Sequence, residues 1–148
     1  MKIVADLGRY KHAYLNGKLL CSQFNGFMPV HFLVDTGSTY TTILGQDSFR
    51  LGLNFKKLGK AGCSSDTAKG RILPYELPDV QLQFEASTGS IESPVVIPLK
   101  FIHCLPPPKD INLLHPLDLM SAYSLLGMDV LQFFKKWQYT DTTLTLQT

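Results

Sequence analysis

Residues 28–44 read MPVHFLVDTGSTYTTIL. From Val30 to Val34 almost every position is apolar, the pattern of a strand covered on both faces. That run drives straight into a carboxylate, Asp35, followed at once by the small or hydroxylated residues Thr36, Gly37, Ser38 and Thr39. A charge ending a strand this apolar is costly to bury unless something holds it there. One reading is a turn aspartate. The sharper one is a carboxylate kept for chemistry, because perturbed carboxylates cluster at functional sites. His31, inside the run, reads as a satisfied structural histidine rather than a ligand.

The rest of the chain is rich in strand signals. Asn16-Gly17 and Asn25-Gly26 both read as hairpin turns, since both residue types tolerate positive φ, and they divide the first 34 residues into three short antiparallel strands. After Asp35 a short helix is expected from Gly45 to Leu51, with Gly52 as its terminator. The glycine-bearing stretch KKLGKAGCSSDTAKGRILPYEL reads as a long hairpin with an exposed tip at residues 63–68. In DVQLQFE, Val80, Leu82 and Phe84 alternate with Gln81, Gln83 and Glu85, which is a half-buried strand. PVVIPLKFIH is a further strand, and Pro94 and Pro98 suggest an edge or a bulge. Pro106 to Pro108 stiffen a linker-like excursion as polyproline II. YSLLGMDVLQFFKKW reads as a buried strand, a glycine turn and a helix starting at Asp129, with Lys135 and Lys136 at its C-terminus. Met128, Phe133, Phe134 and Trp137 are expected to pack in a core or interface. TTLTLQT closes as a last strand. The inventory is an all-β domain, mainly strands with two short helices.

Composition narrows the function classes. A chain of 148 residues fits one domain with a proper core, and 45% hydrophobic against 18% charged residues is globular rather than disordered. The 14 basic residues are scattered and the net charge is only +2, which argues against nucleic acid as a partner. Cys21, Cys63 and Cys104 are an odd, widely spaced set without a C-x-x-C pair, so free thiols in a reducing cytoplasm are expected, not a disulfide framework or a zinc site. His12, His31, His103 and His115 show no metal spacing. The N-terminal apolar run is too short for a signal peptide, and no segment approaches the ~20 apolar residues of a membrane span. A cytoplasmic protein with no membrane contact is therefore expected. IVADLGR resembles the first phosphate loop of actin-like ATPases, but that family needs a second phosphate loop and a second domain, so Asp6-Leu7-Gly8 reads as a turn.

FLVDTGST resembles the active-site signature of aspartic proteases, an apolar pair followed by Asp-Thr-Gly and a small residue. YSLLGMDVLQFF resembles the second signature of the same family, the apolar pair Leu125-Leu126, then Gly127 and a helix. The glycine-bearing hairpin between them stands where the family keeps its flap. Asp-Thr-Gly alone is a weak signal, and the context is what gives it weight. None of the other aspartates is followed by Thr-Gly or Ser-Gly. Pepsin-like enzymes carry the motif twice in one longer chain. A single copy therefore resembles the retropepsins, the single-domain proteases of retroviruses and their cellular relatives. Met128 follows Gly127 where retroviral enzymes usually carry an arginine, and the hairpin tip is more polar than a retroviral flap. In LLGMDVL the chain is similar to the cellular relatives, such as the proteases of ubiquitin-shuttling proteins.

The resemblance implies a retropepsin-like acid-protease barrel over residues 1–148, one lobe per chain. It implies a flap hairpin at about 58–76 and the second signature with its helix at about 124–136. It implies a homodimer with the active site on the twofold axis and a polypeptide substrate. Asp35 is then catalytic. Gly37 lets the backbone pass close and offers its N–H to the carboxylate. Thr36 reaches the partner loop, Ser38 bonds the outer carboxylate oxygen, and Thr39 supports the loop. Leu125, Leu126 and Gly127 thread beside the catalytic loop, and Ala61, Gly62 and Cys63 cover substrate. The residue types fit that chemistry. Peptide hydrolysis without a metal, cofactor or covalent nucleophile needs a held water, a base and an acid. Two carboxylates sharing one proton supply both. The alternative from another class is an inactive retropepsin-fold dimerisation or peptide-binding module, since a fold does not guarantee a function.

Overall fold

The computed structural model describes the chain except residues 9, 63–64, 68–69, 89–90, 114 and 117–121, and describes backbone alone at 65–67, 87–88, 91 and 113. Three antiparallel strands open it: β1 (Lys2–Leu7), β2 (Ala13–Leu20) and β3 (Met28–Val34). The turn after β1 is closed by Gly8 N–H donating to His12 O at 2.9 Å, so Asp6-Leu7-Gly8 is a strand end and turn, as expected.

Three strands were expected here, but one of the two turns lies elsewhere. Asn16-Gly17 is not a turn. Gly17 lies in the middle of β2, opposite Val30 on one side and Phe84 on the other. A Cβ there would come within 2.7 Å of the Phe84 ring, so the glycine serves a close approach inside a sheet rather than a positive φ. Asn25-Gly26 does lie in the connection between β2 and β3. In β3, Val30 and Phe32 are buried, Leu33 and Val34 half-buried, and His31 is exposed. His31 is nonetheless satisfied: Nδ1 lies 2.7 Å from Asn16 Oδ1, and its ring stacks on Tyr14 at 5.1 Å.

Next come β4 (Thr42–Ile43) and α1 (Gly45–Leu51). Gly52 ends α1 in the left-handed region at φ 68°, donating to Phe49 O and Ser48 O, a glycine C-cap at the expected position. β5 (Gly59–Lys60) pairs with the start of β8 (Tyr75–Thr88). β6 (Ser65–Thr67) and β7 (Gly70–Ile72) form an antiparallel hairpin with Thr67 opposite Gly70. β8 and β9 (Ile91–Cys104) pair along their whole length, from Tyr75 opposite Cys104 to Thr88 opposite Ile91. Val80, Leu82 and Phe84 enter the core, while Gln81 and Glu85 face water. Along its other side β9 pairs only at its end, where β4 runs parallel to it; Pro94 and Pro98 thus lie on a free edge among the described residues. The proline run passes over the start of α1, where a Cβ on Gly45 would sit 2.8 Å from Pro106 O.

The last elements are β10 (Ser124–Leu126), α2 (Met128–Leu131), β11 (Lys136–Tyr139) and β12 (Thr143–Gln147). The second helix is shorter than expected. It ends at Leu131, and Lys135 N–H already donates to Gln147 O at 2.8 Å. Phe134 is buried and Trp137 packs half-buried against the core, its indole N–H on Phe134 O at 3.2 Å; burying both takes the chain off the helical path. Lys135 and Lys136 therefore belong to the approach and start of an edge strand, not to a helix C-terminus. Met128 also packs against the core, whereas Phe133 remains 48% exposed.

Strands β2, β3, β10, β4, β9 and β8 follow one another, and β8 pairs back onto β2, so six strands close a barrel. Closure pairs β8 back onto β2, and the edges left among the described residues include the proline-bearing side of β9 and the outer strand β11. Leu19, Phe32, Leu82, Phe84, Ile102, Leu126 and Leu131 fill it. β1, β12 and β11 extend the sheet from β2. Among the described residues this is a mainly β architecture carrying the two short helices, α1 and α2, that the patterning implied.

Candidate active site

Asp35 sits where β3 leaves the barrel. Its N–H donates to Leu126 O at 3.0 Å, so the first residue past the strand is pinned to the second signature. Gly37 N–H donates to Asp35 Oδ1 at 3.0 Å, and Ser38 Oγ–H donates to Oδ2 at 2.7 Å. With both oxygens engaged the carboxylate is fixed in orientation. Those are the contacts expected of Gly37 and Ser38, and a Cβ on Gly37 would crowd Oδ1 at 3.2 Å. Thr36 and Gly37 are exposed and Asp35 is partly so.

The second signature meets this loop from within the sheet. β10 runs parallel to β3, with Leu125 opposite Leu33 and Leu126 opposite Val34, and antiparallel to β4, with Leu125 opposite Thr42. It is thus inserted between the two arms of the loop carrying Asp35. Gly127 then passes so close that a Cβ would lie 2.5 Å from Tyr40 C and 2.7 Å from Thr41 N. Here only glycine fits. The free N–H groups that open a helix need acceptors. In α2 the loop supplies them: Met128 N–H donates to Ser38 O at 2.8 Å and Asp129 N–H to Thr39 O at 3.0 Å.

Several residues of this joint were not singled out from the sequence. Thr41 is fully buried. Its N–H and hydroxyl both donate to Asp129 Oδ1, at 2.9 and 2.7 Å, and its oxygen accepts Gly127 N–H at 3.0 Å. Asp129 does open a helix as expected, taking Val130 N–H at 2.9 Å, but it also binds the loop. Behind it, Asp47 of α1 is fully buried and accepts from Ser124 Oγ at 2.7 Å and Arg50 Nε at 2.8 Å, which fastens α1 to β10. His103, buried between the rings of Tyr40 at 4.5 Å and Phe101 at 5.7 Å, backs the same segment. Burial pushes its imidazole below the usual histidine range, while the carboxylates of Glu76 and Asp129 pull the other way. The only sequence signal for the joint was a hydroxyl at Thr41 six positions beyond Asp35, and nothing in one sequence links it to Asp129.

The flap residues fare differently. Ala61 is buried, its N–H on Pro74 O at 2.7 Å, so it anchors the base of the hairpin and offers no surface to a ligand in this chain. Gly62 is exposed with open space around it, and Cys63 lies outside the described residues. Cavities of about 470 Å³, beside Asn16, His31 and Arg50, and about 270 Å³, beside Tyr40, Phe101 and Phe133, are not lined by Asp35. The carboxylate stands on an open face. Among the described residues no group of His, Cys, Asp or Glu could hold a metal ion, and no helix is long and apolar enough to cross a membrane. Cys21 and Cys104 are buried free thiols, and burial pushes Cys104 up to about 12.

No family model and no curated protein matches this chain. Among solved structures, a crystal structure of a retropepsin-like aspartic protease from Rickettsia conorii is similar to it, with a TM-score of 0.55 and 23% sequence identity over 99% of this chain and 89% of that one. At that identity the likeness is one of fold. Its agreement with the closed barrel, the Asp35 loop and the inserted β10 is the conclusion of the geometry: this chain has the retropepsin-like fold.

Proposed function

We propose that the chain is an aspartic endopeptidase active as a homodimer, with one water held between Asp35 of two subunits. The observation that carries this reading is the Asp35 carboxylate. It is oriented by Gly37 N–H and Ser38 Oγ on an open face, in a fold shared with a retropepsin-like aspartic protease, and its motif occurs once in the chain. Two such faces brought together by a twofold axis make a pair of carboxylates, which cannot both ionise at close range. The ionised one takes a proton from water as it attacks the peptide carbonyl, and the protonated one donates to the carbonyl oxygen. Collapse of the resulting diol passes a proton to the leaving nitrogen. The apparent pKa values belong to the pair.

In this reading the whole of 1–148 is one protease domain. Thr36 reaches across to the partner loop, Leu125 to Gly127 frame the catalytic loop, and the hairpin at about 58–76 covers a polypeptide substrate in the cytoplasm. The test is Asp35→Asn, assayed against a peptide library from about pH 3 to 8, the span of carboxylate and histidine titration. Loss of cleavage with dimerisation retained is expected. Undiminished cleavage in that variant would falsify the mechanism, and a wild type that binds peptides but cleaves none would favour the binding module.

A further inference from the structure

We propose that Thr41 and Asp129 are positioning residues for Asp35, a role that rests on the protease reading above. The loop from Asp35 to Thr41 is joined to residues 126–130 by hydrogen bonds of two kinds. Three are backbone to backbone: Asp35 N to Leu126 O, Met128 N to Ser38 O and Asp129 N to Thr39 O. Three run through side chains, and all of these use Thr41 or Asp129: Gly127 N to Thr41 Oγ1, and Thr41 N and Oγ1 to Asp129 Oδ1.

Ser38 is the hinge pin of the arrangement. Its carbonyl is held by Met128 N–H at 2.8 Å, and its hydroxyl holds Asp35 Oδ2 at 2.7 Å. The position of α2 therefore sets that of Ser38, and Ser38 sets the direction of the carboxylate. α2 is only four residues long and its N-cap is a glycine without a capping side chain, so little within the helix itself fixes where it starts. The clamp does. A single oxygen, Asp129 Oδ1, accepts from Thr41 N, Thr41 Oγ1 and Val130 N and so locks helix to loop in one register. Thr41 is fully buried and touches no substrate, and it acts on the reaction only through the loop.

Four variants test this. Thr41→Val deletes the bridging hydroxyl and Asp129→Ala the shared acceptor. Thr41→Ser and Asp129→Asn keep a hydroxyl and an Oδ1 acceptor in place. In the folded dimer, Thr41→Val and Asp129→Ala are expected to lower kcat about a hundredfold, the scale of a misplacement near 1 Å, with KM little changed. The two conservative variants are expected to keep kcat near wild type. Amide exchange gives a readout that needs no turnover. In Asp129→Ala, exchange is expected to quicken at Gly37, Ser38 and residues 127–130 while Leu19 and Leu82 in the barrel stay protected. A wild type without activity would count against the protease reading alone, and exchange would still decide on the clamp. Wild-type kcat in folded Thr41→Val or Asp129→Ala overturns the proposal. So does an Asp129→Asn as damaged as the alanine, or exchange that quickens evenly across the barrel.

Discussion

Gly127→Ala puts the added methyl where there is no room. Its Cβ would lie 2.5 Å from Tyr40 C, 2.7 Å from Thr41 N and 2.8 Å from Tyr40 O, all backbone atoms that cannot rotate away. Non-bonded carbon atoms settle at about 3.5–4.0 Å, so β10 and the loop must separate by about 1 Å. Adding that to the 2.8 Å bond from Met128 N to Ser38 O takes it beyond hydrogen-bond range, and the 3.0 Å bond from Asp129 N to Thr39 O goes with it. Two lost bonds at about 1 kcal/mol each, with overpacking strain of about 1–3 kcal/mol, give a destabilisation of about 3–5 kcal/mol. That is a large share of the roughly 5–15 kcal/mol that holds a domain folded. Urea unfolding reads it as a fall in midpoint at constant slope. Gly26→Ala is the control, since a Cβ there meets nothing within 4 Å, and it should stay near wild type. A Gly127→Ala protein whose midpoint matches that control would refute the packing argument, and with it the claim that this glycine sets the spacing between helix and loop.

Gly17→Ala should also destabilise, because its Cβ would meet the Phe84 ring at 2.7 Å, but here the obstacle is a side chain. Phe84→Leu in the same chain should recover part of the loss, a coupling that a double-mutant cycle on thermal melts would measure, and strict additivity would sink the explanation. His103 predicts a pH dependence. Burial lowers its folded pKa beneath the unfolded value of about 6.5, so between the two the unfolded chain binds the extra proton. Stability is then whole above about pH 6.5, falls as pH drops through that value, and levels only below the folded pKa. His103→Gln should flatten that acid limb in urea titrations, and parallel curves for the two proteins would be the contrary result.

What could be read in advance was what lies within a few residues of itself. The apolar run into Asp35 and the span of α1 with Gly52 at its end are local, and local patterning carries them, whereas the contacts of Gly37 and Ser38 with that carboxylate were implied by the family resemblance. Where the reading went astray, a distant partner had overruled a local preference. Asn16-Gly17 has turn chemistry, yet Phe84 packs over the glycine and keeps β2 extended. QFFKKW has the look of a continuing helix, yet Phe134 and Trp137 gain more by packing into the core and end α2 at Leu131. Asp129 looked like a helix start, and its second partner, Thr41, lies 88 residues away in sequence. Asp47 and Ser124, 77 residues apart, gave no sign of each other.

That separation has a consequence in time. Residues joined across 88 positions form a contact of high order, and folds dominated by such contacts form slowly. A ribosome adding roughly 5–20 residues each second needs about 4–18 s to travel from Thr41 to Asp129. Through that interval the Asp-Thr-Gly loop already exists, but Ser38 O has no Met128 to hold it and Asp35 N has no Leu126. A carboxylate on a loose loop is not an ordered site. The joint that orders the loop therefore also delays it, and a nascent chain still short of Gly127 carries the motif in silence.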